Sequence, residues 1–159
     1  MHITPYTPSD LATLVDLSLR AWAPVFASMQ QAMDPDVYAV FYPGDWRPSK
    51  QKVVEDTCAA DDIDVWVARS EEGITGYVAV KMDQESRMGE VYLIAVDPDV
   101  QGRGIGGELT AFAIEQMRAA GMAVAMVETG GDPGHAPARR TYEKHGFVLW
   151  PVARYFQKL

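Results

Sequence analysis

Cysteine is nearly absent. Cys58 stands alone, so no intrachain disulfide holds this chain together. Nothing in the sequence gives Cys58 an adjacent base or a thiolate-stabilising setting, and it reads as a small core residue. Positive charge is scarce as well: 14 Lys and Arg stand against 22 Asp and Glu, a formal net charge of −8. Such a chain lacks the basic field that nonspecific binding to nucleic acid or anionic membrane requires. No apolar run approaches the ~20 residues that span a bilayer. The first residues, Met1-His-Ile-Thr-Pro-Tyr-Thr-Pro8, lack the charged region and apolar stretch of an export signal. Repeats, low-complexity tracts and linkers are missing too. These absences predict one domain over residues 1–159, cytoplasmic, with no nucleic-acid partner, no membrane partner and no metal.

What is present is an ordinary globular composition, 48% hydrophobic, ample for one core. His2–Tyr6 reads as a short strand. Thr7-Pro8-Ser9-Asp10 reads as a helix start, and Leu11, Leu14, Val15, Ser18, Trp22, Val25, Phe26 and Met29 recur on one helical face. Pro24 is expected to kink or divide that helix. Helices are predicted over Asp34–Tyr42 and from a Ser49 cap to about Ala60. A hairpin of Ile63–Arg69 and Ile74–Met82 follows, then a strand over Glu90–Val96. After the helix bearing Ile105, Leu109, Phe112, Ala113 and Met117, ended at Gly121, come a strand over Met122–Glu128 and a helix over His135–His145. Phe147–Trp150 and Val152–Gln157 read as closing strands on either side of Pro151. The sum is an α/β fold, a mixed sheet with helices on both faces.

The most informative run is Gln101-Gly-Arg-Gly-Ile-Gly-Gly107, set between a strand and a helix. Unpaired N–H groups at a helix N-terminus attract an anion, and glycines let the main chain approach it. A phosphorylated ligand is the direct inference. Two readings compete for it. Gly102-x-Gly104-x-x-Gly107 formally fits the dinucleotide fingerprint, with Glu128 in the position of the ribose ligand. That fold, however, expects several more strand–helix units than the remaining fifty or so residues hold.

The second reading uses more of the chain. Val96-Asp-Pro-Asp-Val-Gln-Gly-Arg-Gly-Ile-Gly-Gly107 resembles the acetyl-CoA signature of the GNAT superfamily of N-acetyltransferases. Ala138-Arg-Arg-Thr-Tyr142-Glu-Lys-His-Gly146-Phe147 resembles that family's second signature, at the right distance. The resemblance implies a mostly antiparallel sheet with splayed middle strands. It implies acetyl-CoA as co-substrate, its pyrophosphate on Gln101, Gly102, Arg103, Gly104, Ile105, Gly106 and Gly107. Its pantetheine would lie along the open main chain of Leu93–Val96, including Ile94, Ala95 and Val96. Ala138, in the second signature, joins the cofactor set; Arg139 is a candidate with Arg140 for the cofactor phosphates, each alternatively a solvated side chain. His135 stands where the family often has an Asn that touches pantetheine; the alternative is a loop His without a role.

The resemblance also assigns chemistry. Tyr142 is implied as the acid that meets the departing thiolate; its bland alternative is a half-buried aromatic. Glu90 and Glu128 are candidates for the base that takes the amine proton, each alternatively a solvated or salt-bridged carboxylate. The activity implied is acetyl transfer to a primary amine of a small molecule or peptide, by direct attack in a ternary complex. A non-catalytic acyl-CoA-binding module is the rival of another class, and the oxidoreductase a third. Trp22, Phe26, Met29, Tyr38, Phe41, Tyr42 and Trp46 crowd the early helices, which wall the acceptor pocket in the family. Arg154 and Tyr155 are expected near the same pocket. Homodimers are common in the family, and a homodimer is one expectation here.

Overall fold

The computed structural model describes residues 1–159. Its frame is one five-stranded sheet in chain order: β1 (His2–Pro5), β2 (Ile63–Ser70), β3 (Gly73–Asp83), β4 (Met88–Val96) and β5 (Val124–Met126). Every pairing is antiparallel except β4 with β5, which is parallel. The helices are α1 (Leu11–Ala32), α2 (Pro35–Phe41), α3 (Arg47–Ala59), α4 (Ile105–Ala119) and α5 (Ala136–Lys144).

Strand alternation sends side chains to two faces. On one face Tyr77 and Ala79 of β3 meet Val65 and Val67 of β2, Leu14 and Leu17 of α1 and Val54 of α3. The Tyr77 hydroxyl is fully buried there, 2.7 Å from Ser18 Oγ. On the other face Val78 and Val80 pack against Ile105, Leu109, Ala113 and Met117 of α4. Helices thus cover both faces, as the sequence implies.

Two irregularities in β4 shape the middle of the sheet. Ala79 pairs with Leu93 but Val80 pairs with Val91, which leaves Tyr92 as an extra residue. The bulge reverses the strand's parity there, so Val91 faces α4 while Leu93 faces α1 and α3. Parallel pairing with β5 covers only Met88–Glu90. Beyond Glu90 the two strands part, and 91–96 leave one backbone edge of β4 open.

Several sequence expectations are corrected. Pro24 does not divide α1, which runs unbroken from Leu11 to Ala32; the proline is exposed, so water can serve the carbonyl it leaves unpaired. Ser49 is not a cap: α3 begins at Arg47, whose N–H donates to the Asp45 carboxylate at 3.1 Å. The strand expected over Met122–Glu128 shortens to Val124–Met126 because the splay removes its partner. The two closing strands over 147–150 and 152–157 do not form. Their β-branched and aromatic residues are strand-competent, but Pro151 interrupts them and neither run pairs with the outer edge of the three-residue β5. A strand without a partner is not stable. Residues 147–159 instead run irregularly, with Val148 at 91% and Trp150 at 82% exposure.

Candidate active site

The glycine turn is held from both sides. Asp97, first residue after β4, caps its own turn by accepting from Asp99 N–H at 3.0 Å. It also takes a two-pronged contact from Arg20 of α1 at 2.7 and 2.8 Å. That contact, with the Asp99 N–H bond, holds its carboxyl below the usual range although burial opposes this. Gln101 closes the loop, its side-chain amide donating to the Val96 carbonyl at 3.1 Å. Gly102 and Gly104 have φ of +77° and +88°, the left-handed region that a side chain enters only with strain.

α4 begins at once. Its first backbone bond from this segment is Glu108 N–H to Gly104 carbonyl at 3.0 Å. The six amides of Gly102–Gly107 therefore have no acceptor within the protein, and all lie at the positive end of a fifteen-residue helix. A cleft of about 370 Å³ opens beside them, lined by Gly104, Gly107, Glu108 and Ala111 of the turn and α4, and by Thr141, Lys144 and His145 at the end of α5. The two halves of the expected signature pair, which end at Gly107 and begin at Ala138 in the sequence, thus meet in space. His145 donates from Nδ1 to the Thr141 carbonyl at 2.7 Å. Its ring lies so close to Gly107 that a Cβ there would meet Cε1 at 3.1 Å. Sequence reading assigned nothing to Lys144 or His145.

Tyr142 is buried at 6% exposure, its ring edge-on to Phe147 at 5.9 Å. Burial pushes the phenol up to about 12. Its neighbour Ala138 is half-buried. Arg139 points into the loop before the helix, donating to the Gly130 and Asp132 carbonyls; it is tied to backbone rather than free. The two carboxylates offered as bases flank the fork of the splay. Glu90 is the last residue of β4 paired to β5, opposite Met126, and is partly buried. Glu128 lies two residues beyond that pair, exposed, with an ion pair to Arg154 at 2.8 Å.

His135 is not a free loop residue. It is buried at 8% exposure, and Nδ1 meets the Asp132 carboxylate. Asp132 also accepts from Ser28 Oγ of α1 at 2.6 Å and from Gly134 N–H at 3.0 Å. Burial of Asp132 opposes its ionisation, yet the bonds from Ser28 and His135 hold its pKa below the ordinary value. This network orders a segment that reads in sequence only as a flexible connection.

The early aromatics form one continuous wall. Phe26 stacks on Trp46 at 4.1 Å and meets Tyr42 edge-on at 5.0 Å. Trp22 stands beside Phe26 at 6.3 Å and edge-on to His135 at 6.1 Å. Over the Trp22 ring, 3.4 Å from its centroid, sits the Lys50 ammonium. Lys50 escaped sequence reading although it shares the buried α3 face with Val54 and Thr57; a charged residue at an apolar position was the available signal. Elsewhere, burial pushes the Cys58 thiol up to about 11, against a hydrogen bond to Tyr6 that lowers it. That leaves the sole cysteine a poor nucleophile. No group of His, Cys, Asp and Glu is placed to hold a metal ion. No helix is long and apolar enough to cross a membrane.

Known proteins carry the same architecture. The model of the acetyltransferase (GNAT) family matches residues 35–147. The chain is similar to the mycothiol acetyltransferase of Brachybacterium faecium, 38% identical over 92 residues, which cover 56% of this chain and 27% of that one. Against the mycothiol acetyltransferase of Rhodococcus opacus it is 29% identical over 153 residues, covering 87% and 48% respectively. It superposes on the ribosomal-protein-S18-alanine N-acetyltransferase from Escherichia coli with a TM-score of 0.68 at 19% identity, over 94% of this chain and 79% of that one; at that identity the likeness speaks for the fold alone. The chain spans about half or less of the length of these curated relatives.

Proposed function

Because the chain belongs to the acetyltransferase (GNAT) family, we propose that it transfers an acetyl group from acetyl-CoA to a primary amine by direct attack in a ternary complex. The observation that carries this reading is the row of six unpaired amides, Gly102–Gly107, at the α4 N-terminus beside the α5 cleft. A pyrophosphate is the ligand chemistry such a row takes. Arg103 adds a cation at the turn, and Lys144 another at the cleft. The open edge of β4 over Ile94, Ala95 and Val96 suits the amides of a pantetheine arm, which adds to a sheet as a strand does.

The chemistry follows from the groups present. A neutral amine attacks the thioester carbonyl, the C–N bond forms, and collapse of the tetrahedral intermediate breaks the C–S bond. Thiolate leaves, and the proton shed by the nitrogen balances it as the thiol. Tyr142 is the acid-side group. Its pKa of about 12 lies well above the ~8.5 of a free thiol. Complete transfer from phenol to thiolate is therefore uphill, and Tyr142 serves by donating a hydrogen bond to sulfur as charge develops there. On the base side Glu90, partly buried at the fork, is better placed than Glu128, which faces Arg154. Cys58 takes no acyl group. Arg139 and His135 act by fixing the 130–135 loop against α1, which sets the start of α5.

We include in the same reading a cytoplasmic location, a single domain over 1–159 and a homodimer. The dimer is supported by the exposed apolar residues of the tail, Val148, Leu149, Trp150 and Tyr155, which a second copy would cover. The test is calorimetric titration with acetyl-CoA, followed by an amine library assayed for free CoA. Micromolar binding with amine-dependent thiol release is expected. Absence of acetyl-CoA binding overturns the reading; tight binding without thiol release from any amine supports a non-catalytic module instead.

A further inference from the structure

Lys50 is the one lysine or arginine buried in the molecule, at 6% exposure. Carboxylates outnumber bases in this chain, yet none reaches it. Lys52 meets Asp56, Arg20 meets Asp97, and Arg69 meets Asp10, whereas Lys50 has no ion pair and no hydrogen bond. Arg103, Arg140, Lys144 and Lys158 are also unpaired, but they are exposed to solvent. No side-chain nitrogen or oxygen sealed from solvent lacks a partner. Since the Lys50 ammonium has none, its stem is buried while its Nζ still reaches accessible surface.

The surroundings of that Nζ are aromatic. It stands on the Trp22 ring, whose far edge packs on His135, the residue that precedes α5. Trp46, one turn before Lys50 in α3, carries the stack with Phe26. The ammonium has given up most of its hydration and has only a ring quadrupole in return. Burial alone, with no charged neighbour, holds this amine down to about 7. An anion arriving at Nζ supplies the missing counter-charge. Arg154, the basic side chain that the sequence reading expects near the acceptor, is already neutralised by Glu128.

We propose that Lys50 on the face of Trp22 is the anion-binding residue of the acceptor site, and that the amine acetylated here carries a carboxylate. The proposal rests on the acetyltransferase reading and adds the chemical class of acceptor. The same ammonium acts against amines that bring only a positive charge, so it rejects as well as recruits.

The probes are L-amino acids and a series of ω-amino acids of increasing length, each matched to its own carboxamide and assayed for free CoA. For the pair that turns over fastest, kcat/KM is expected to favour the carboxylate by about 10- to 100-fold. Lys50→Met brings that ratio to about unity, with KM for acetyl-CoA unchanged; Lys50→Arg restores part of it. Turnover of acid and amide at equal rates by the unaltered protein overturns the proposal and leaves the transferase reading intact. So does a ratio that survives Lys50→Met. Acetyl-CoA binding with turnover of neither member of any pair counts against the transferase reading itself, and against this proposal with it.

Discussion

At the scale of single residues, two side chains owe their chemistry to burial. Tyr142 is kept neutral by a phenol pKa of about 12, so it remains a donor through any working pH. Removing only its oxygen by Tyr142→Phe is expected to lower kcat by about 100-fold or more while Kd for acetyl-CoA changes little. Unchanged turnover would remove Tyr142 from the mechanism. Lys50 has the opposite polarity. Its amine is lowered from 10.5 to about 7, so below pH 7 folded and unfolded chains both hold the proton, and the folded one bears the buried charge. Between pH 7 and 10.5 the unfolded chain binds the extra proton, so stability rises with pH across that window. Relative to Lys50→Met, the unfolding free energy from urea titration should climb by about 1 to 3 kcal/mol between pH 7 and pH 9. Parallel curves for the two proteins would mean that Lys50 is hydrated like a surface lysine.

At the scale of elements, the join of β4 to α4 is the part that the site needs most. Its glycines are not equivalent. Gly104 sits at φ +88°, whereas a Cβ on Gly106 would meet only Val96 Cγ2 at an ordinary 3.6 Å. Gly104→Ala should strain the turn by about 1–2 kcal/mol and raise Kd for acetyl-CoA at least several-fold. Gly106→Ala should keep the fold, and circular dichroism with calorimetry separates the two cases. Equal tolerance of both substitutions would show that the turn does not hold its left-handed geometry. The resemblance of the glycine run to a dinucleotide motif is settled at this scale as well. The helix after the turn leads to one short parallel strand and one nine-residue helix, not to the several strand–helix units that a dinucleotide fold needs.

At the scale of the whole molecule, the sheet ends at β5 with nothing paired beyond it, and the tail carries exposed Val148, Leu149, Trp150 and Tyr155. Burying such a set needs another surface. Light scattering at micromolar concentration should find a dimer, and Leu149→Lys with Trp150→Lys should shift it to monomer. A monomeric unaltered chain would leave the tail without that explanation. How much of this was legible beforehand differs by region. Local order from residues 2 to 83 could be read because alternation and helical spacing report burial directly. The tail could not: its alternation records strand competence, while a strand forms only where a partner edge lies alongside.

The sequence by itself indicated most of the elements up to α5, the glycine turn between β4 and α4, and the signature that holds Tyr142. Each of these is written in short-range pattern, because helix starts, left-handed glycines and buried faces depend on neighbours within a few residues. Tertiary structure alone decided the rest. It brought Lys144 and His145 to the glycine turn, spent Arg139 and Arg154 on a loop and on Glu128, and locked His135 to Asp132 and Ser28. It also set Lys50 on Trp22 with no counter-ion. Charge pairing and desolvation depend on which groups meet across the fold, and no spacing along the chain encodes that meeting.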